Sequence, residues 1–164
     1  MAEIHFILQG KGGGGKTMLA SMLLQAFLSR GKQCLGIDTD PVNASLAAFK
    51  GLPVKGISIL EGDETGNIDI RKFDLLLEEL INAPSDEVIV VDNGSSSFMA
   101  FSTYIRENDL LATLRDAGHS VIFHSIIVGG QGLNDTCKCL YNLFKDFKDP
   151  DLAFVWENPF FGPV

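Results

Sequence analysis

The sequence predicts an α/β fold, a mostly parallel sheet with helices on both faces in three layers. Three observations carry this expectation. Short aliphatic runs alternate with stretches of helical periodicity along the chain. The runs at residues 4–8, 88–91 and 120–128 are apolar almost throughout, as strands buried on both faces are. The first of these runs leads through the glycine-rich loop Gly10-Lys11-Gly12-Gly13-Gly14-Gly15-Lys16-Thr17 into the first helical stretch. Strand, glycine loop and helix in that order form the context of a phosphate-binding loop.

The elements follow in order. Ile4-His5-Phe6-Ile7-Leu8 reads as a buried strand, and residues 17–28 read as a helix that ends at Gly31. Gln33-Cys34-Leu35-Gly36-Ile37 is a short strand. It runs into Asp38-Thr39-Asp40-Pro41-Val42-Asn43, a carboxylate-rich loop at the sheet edge where open α/β folds bind ligands. Asn43 or Ser45 is expected to cap a short helix through Phe49. Residues 51–67 are rich in glycine, proline and acids, with a brief strand near Ile57-Ser58-Ile59-Leu60. Residues 70–82 show helical periodicity, with Phe73, Leu76, Leu77 and Leu80 on one face. Val88-Ile89-Val90-Val91-Asp92 is a buried strand ending in a carboxylate, and residues 98–118 form one or two helices broken near Asn108-Asp109. Residues 120–128 form another buried strand, closed by Gly129-Gly130. A helix over 131–148 has Leu133, Leu140, Tyr141, Phe144 and Phe147 in its apolar set. Leu152-Ala153-Phe154-Val155-Trp156 is the last strand. A strand buried on both faces needs a covering helix, and none follows. The expectation is therefore one domain over 1–164 that lacks its C-terminal part.

Composition narrows the function classes. The chain has 164 residues, 46% hydrophobic and 21% charged, which is one ordinary globular domain. A net charge of -8 argues against a nonspecific nucleic-acid surface. No apolar run reaches membrane-spanning length, so neither DNA nor membrane contact is supported. The N-terminus is a strand containing Glu3 and has no secretory pattern. Cys34, Cys137 and Cys139 are odd in number and lack metal-ligand spacing; they read as buried or half-buried thiols of a cytoplasmic protein. His5, His119 and His124 lie in or beside apolar strands without a second ligand at suitable spacing, so they read as ordinary strand histidines. Gly94-Ser95-Ser96-Ser97-Phe98 lacks the last glycine of a nucleophile elbow.

The loop's chemistry is direct. Glycines can take positive φ and turn backbone N–H groups onto phosphate oxygens, and the following helix adds free donors and a positive dipole end. Gly12, Gly13, Gly14, Gly15, Lys16, Thr17 and Met18 are thus candidate nucleotide contacts. Lys16 supplies charge for the β- and γ-phosphates, and the Thr17 hydroxyl can ligate Mg²⁺. Asp92, at the end of a central strand, has the look of a Walker B carboxylate facing the same Mg²⁺. The fold expected is the P-loop NTPase α/β/α sandwich.

Lys11 sharpens this. The form Lys-Gly-Gly-x-Gly-Lys-Thr resembles the deviant Walker A loop of the ParA/MinD family of dimerising ATPases. The resemblance implies an ATP-dependent homodimer closed over two ATP molecules, with Lys11 reaching the partner's nucleotide. Gly14 stands where the family usually has Val, and four consecutive glycines raise the entropic cost of ordering the loop. Asp38-Thr39-Asp40-Pro41 resembles the family's first switch, which implies that Asp40 orients the attacking water and that Asp38 lies near the Mg²⁺ shell. Asp92-Asn93-Gly94-Ser95-Ser96-Ser97 departs from the Asp-x-Pro-Pro of most relatives and leaves the second-switch geometry open. Asn158 falls where the family holds the adenine edge with an amide; a plain loop Asn before Pro159 is the other reading. The Asp-Asn-Gly run before Phe98, His124 with Gly129-Gly130-Gln131, and Trp156-x-Asn158 before Phe161-Gly162-Pro163 resemble a branch of the family at work in plasmid conjugative transfer. The implied function is a slowly hydrolysing Mg²⁺-ATP switch with a protein partner in the transfer machinery. A DNA-partitioning ATPase and a non-hydrolysing interaction module are the alternatives. A biosynthetic ligase needs a substrate pocket that the sequence does not reveal.

Overall fold

The computed structural model describes residues 1–40, 44–59, 69–147 and 153–164. In chain order its elements are β1 (Glu3–Ile7), α1 (Lys16–Ser29), β2 (Gln33–Asp38), β3 (Val54–Gly56), α2 (Lys72–Ile81), β4 (Glu87–Asp92), α3 (Phe98–Glu107), α4 (Leu110–Asp116), β5 (Ser120–Val128), α5 (Leu133–Asp146) and β6 (Ala153–Asn158). The six strands form one sheet in the order β3-β2-β4-β1-β5-β6, and every described pairing is parallel. Ile7 pairs with Asp92, and Asp92 pairs with Asp38. The carboxyl ends of β1, β4 and β2 therefore align, which sets the glycine loop beside both acids.

Two apolar clusters fill the two faces. On one, α2, α3, α4 and α5 cover Ile4, Phe6, Ile89, Val91, Val121 and Phe123. Phe101 is fully buried there, with ring centroids 5.7 Å from Phe6 and 5.0 Å from Phe73. Tyr104 at this face donates from its hydroxyl to Asp74 at 2.5 Å; burial first, then that contact, push its pKa up. On the other face, α1 covers Ile7, Val88 and Val90 through Leu19, Ala20 and Leu24. Within β1, Ile4 and Phe6 meet the first cluster and Ile7 the second, the period-two alternation of a strand.

Some expectations shift. The helix expected through Phe49 is only a turn at 45–48, although Leu46 is fully buried; Asn43 lies outside the described residues. The brief strand falls at Val54–Gly56, where it pairs with β2, rather than at 57–60, and Leu60 lies outside the described residues. The break between α3 and α4 comes at Asp109, which sits at φ 46. The buried side of α5 is set by Thr136, Leu143 and Phe147, and Tyr141 faces solvent. The last strand starts at Ala153, Leu152 and Lys148 being outside the described residues. Along it, Phe154 is 56% exposed and Trp156 39%. Of the thiols, Cys34 is buried, Cys139 half-buried and Cys137 exposed, because Cys137 lies on the solvent side of α5.

The strand histidines form a chain of contacts. Trp156 donates its indole N–H to His124 Nδ1 at 3.0 Å, and His124 Nε2 lies 2.9 Å from His5 Nδ1. The indole can only donate, so His124 is neutral with its proton on Nε2, handed to His5. Burial lowers the pKa of both rings, His124 to about 4. His119 accepts from the Ala2 N–H at 3.3 Å and sits 3.0 Å from the Ile81 carbonyl.

Candidate functional site

The site lies at the carboxyl rim of the sheet. Gly13 and Gly15 take φ of 72 and 102, a left-handed backbone that lets the loop curl back over the start of α1. The loop is pinned from below by Gln9, which is fully buried: its amide donates to the Ile126 carbonyl at 2.6 Å and its oxygen accepts from the Lys11 N–H at 3.2 Å. A cleft of about 380 Å³ opens between the loop and the carboxyl ends of β2 and β4, lined by Gly13, Lys16, Thr17, Asp40, Asp92 and Ser95 among others.

Lys16 begins α1, yet its side chain is only 7% exposed. Its ammonium donates to the Ser95 hydroxyl at 2.6 Å and to the Lys11 carbonyl at 3.2 Å. Burial lowers its pKa, and the charges of Asp92 and Asp40 oppose that drop. Asp92 is 2% exposed. Burial raises its carboxyl to about 6, against the pull of a hydrogen bond with Thr17 and the nearby Lys16 charge. Its Oδ1 is buried and has no hydrogen-bond partner among the described residues.

Asp38 uses both carboxylate oxygens on backbone amides that follow β2, accepting from the Asp40 N–H at 3.0 Å and the Ala47 N–H at 2.9 Å. Thr39 donates its N–H to the Asp92 carbonyl at 3.0 Å and places its hydroxyl 3.2 Å from Asn93 Oδ1. The segments after β2 and β4 also meet at Gly94, where a Cβ would lie 2.9 Å from Asp40 Cγ. No larger residue fits there without moving Asp40.

Lys16, Thr17, Asp40 and Asp92 thus come together, with Gly12, Gly13, Gly15 and Met18 around them. Gly14 is buried behind the loop, where a Cβ would press on the Val128 side chain at 3.2 Å. Lys11 is not in the cleft: its ammonium pairs with Asp135 of α5 at 3.2 Å. Asn158 donates to the Gly14 carbonyl at 3.1 Å and accepts from the Phe160 N–H at 3.1 Å, tying the end of β6 to the loop. Sequence reasoning named Gly94 and Ser95 only as part of the segment after Asp92, with no contact assigned, and did not name Gln9 or Asp135. For Gly94 and Ser95 the signal was present, since they lie two and three residues after the strand-end carboxylate Asp92. For Asp135, 124 residues from its partner, there was none.

The arrangement can hold an oxyanion against main-chain amides and a buried ammonium. It also fits a divalent cation: the orphaned Asp92 Oδ1 beside the Thr17 hydroxyl is an oxygen pair of the kind Mg²⁺ uses with phosphate oxygens and water. Among the described residues no group of three or more His, Cys, Asp or Glu could hold a metal by itself.

A parallel sheet with a glycine loop gripping a buried lysine defines a nucleotide-binding domain of the P-loop class. Residues 5–148 match the CbiA family, the CobQ/CobB/MinD/ParA nucleotide binding domain, and the chain belongs to it. It is 42% identical over 164 residues to Protein TraL of Escherichia coli; the match takes in all of this chain and 66% of that relative. Among solved structures, the MinC:MinD cell division protein complex of Aquifex aeolicus matches with a TM-score of 0.59 at 21% identity, over 94% of this chain and 68% of that one. MinD of Aquifex aeolicus matches with a TM-score of 0.56 at 19% identity and the same coverage. At such identities these two establish the fold. Among the described residues no helix is long and apolar enough to cross a membrane.

Proposed function

We propose that the protein is a Mg²⁺-ATP-binding, slowly hydrolysing dimerisation switch that acts in plasmid conjugative transfer. The observation that carries this is the convergence of Lys16, Thr17, Asp40 and Asp92 in one cleft at the glycine loop. Lys16 and the loop amides bind the β- and γ-phosphates. Thr17 and the unpartnered oxygen of Asp92 hold Mg²⁺, which neutralises phosphate charge when bound. Asp38 is the support behind them: with both oxygens on backbone amides, it sets where Asp40 stands. Asp40 accepts a hydrogen bond from the attacking water and orients it toward the terminal phosphate. Lys11 leaves Asp135 and completes the site of a second copy; the exposure of both side chains, 39% and 65%, supports an ion pair cheap to break. Asn158 stands at the loop, and the second N–H and lone pair of its amide are what it offers the base.

Residues 1–164 act as one domain of a cytoplasmic protein. The likeness to Protein TraL supports a protein partner in the transfer machinery. A net charge of -8 weighs against the DNA-partitioning reading. The altered second switch favours keeping a non-hydrolysing module as the second reading: ATP binding without measurable phosphate release would select it.

Sizing with Mg²⁺ and ATP tests the switch. Lys11→Ala should bind nucleotide yet stay monomeric, while Lys16→Ala should lose nucleotide affinity by about a hundredfold. A Lys11→Ala protein that still dimerises on ATP removes the role of that lysine in trans.

A further inference from the structure

We propose that Ser95 is a contact for the terminal phosphate, and that it lets this cleft discriminate a nucleoside triphosphate from a diphosphate. The inference rests on the nucleotide reading above and assigns a residue which that reading leaves out. Ser95 stands three residues after Asp92, in the turn that leads into α3. Its Oγ lies 2.6 Å from Lys16 Nζ. An ammonium that reaches β- and γ-phosphates sits between them, and acceptors sharing one ammonium stand only about 4–5 Å apart. A phosphate on Lys16 therefore brings one of its other oxygens within reach of Ser95.

The hydroxyl is free to use that position. It accepts from Lys16, and among the described residues no acceptor takes its own proton. It is half-buried and lines the same cleft as Thr17 and Asp92. Its place along the loop selects which phosphate it meets. A Cβ on Gly12 would come 3.7 Å from Ser95 Oγ, so the hydroxyl overhangs the entry of the loop rather than the Thr17-Met18 end. The neighbouring Gly94 packs on Asp40, and Asp40, Lys16 and Ser95 line one cleft. A diphosphate leaves this end of the cleft unfilled; a triphosphate fills it and takes the hydrogen bond that Ser95 can donate. A charge-assisted hydrogen bond of this kind corresponds to about tenfold in affinity.

Calorimetry with Mg²⁺-ADP and with the Mg²⁺ complex of a non-hydrolysable ATP analogue tests it. Ser95→Ala should weaken the analogue about tenfold and leave ADP within about twofold. Ser95→Thr, which keeps the hydroxyl, should restore the analogue. A structural role would move both nucleotides and the melting temperature together, so an equal loss for both overturns the inference. So does analogue binding unchanged in Ser95→Ala, and in either case the nucleotide reading stands. Unmodified protein that binds neither nucleotide overturns both.

Discussion

The aromatic face of the sheet and the carboxyl rim lie within one strand length of each other and follow opposite rules. Under α2–α5, Phe6, Phe73, Phe101 and Phe123 touch ring to ring, and the polar Tyr104 hydroxyl has its carboxylate. At the rim, Lys16 and Asp92 are equally buried, but the lysine makes do with a hydroxyl and a carbonyl and one Asp92 oxygen has nothing. Buried charges without full partners cost stability, so their presence beside a well-packed core marks the place where stability yields to ligand binding. The histidine chain is an intermediate case, buried and polar yet nearly satisfied, with only His5 Nε2 left over.

Substitutions can break or sharpen this contrast. The largest effect is expected at the core: Phe101→Ala should cost about 3–5 kcal/mol in denaturant unfolding. A loss below about 1 kcal/mol would mean that the aromatic face is not where the stability resides. Next comes the histidine pair. Its rings are less basic folded than unfolded, so the unfolded chain takes up protons first as pH falls below 6.5. The His124 contribution is intact above pH 6.5 and is lost progressively down to about pH 4, an effect of about 2–3 kcal/mol. Stability against pH for the unmodified protein, minus that for His124→Leu, isolates it from other groups. A flat difference between pH 6.5 and 4 would refute the assignment. The smallest effect is at the rim and has the opposite sign: Asp92→Asn should stabilise the empty protein by about 1 kcal/mol while abolishing any effect of Mg²⁺ on nucleotide affinity. A destabilised variant would place Asp92 among the structural groups and dissolve the contrast.

Much of the fold was legible because its signals are local. Residues 120–128 read as a strand and are one, and the turn at Asp109 interrupts the helices where Asn108-Asp109 broke the pattern. Errors came where a neighbour decides. Tyr141 fits an apolar helical stripe, but β5 lies against the face carrying Thr136 and Leu143, and the tyrosine turns outward. Residues 57–60 have strand composition, yet the edge of β2 pairs with Val54-Lys55-Gly56.

By itself the sequence determined the glycine loop, the acids at the ends of β2 and β4, and the alternation of strand and helix. These depend on backbone freedom, side-chain period and turn chemistry within a few residues. Only the tertiary structure decided that Lys16 rests on Ser95, 79 residues away, that Lys11 pairs with Asp135, and that Trp156 orients His124 against His5. Contacts of that kind are fixed by the order in which strands lie side by side in the sheet. That order is set by how the whole core packs, and no short stretch of chain records it.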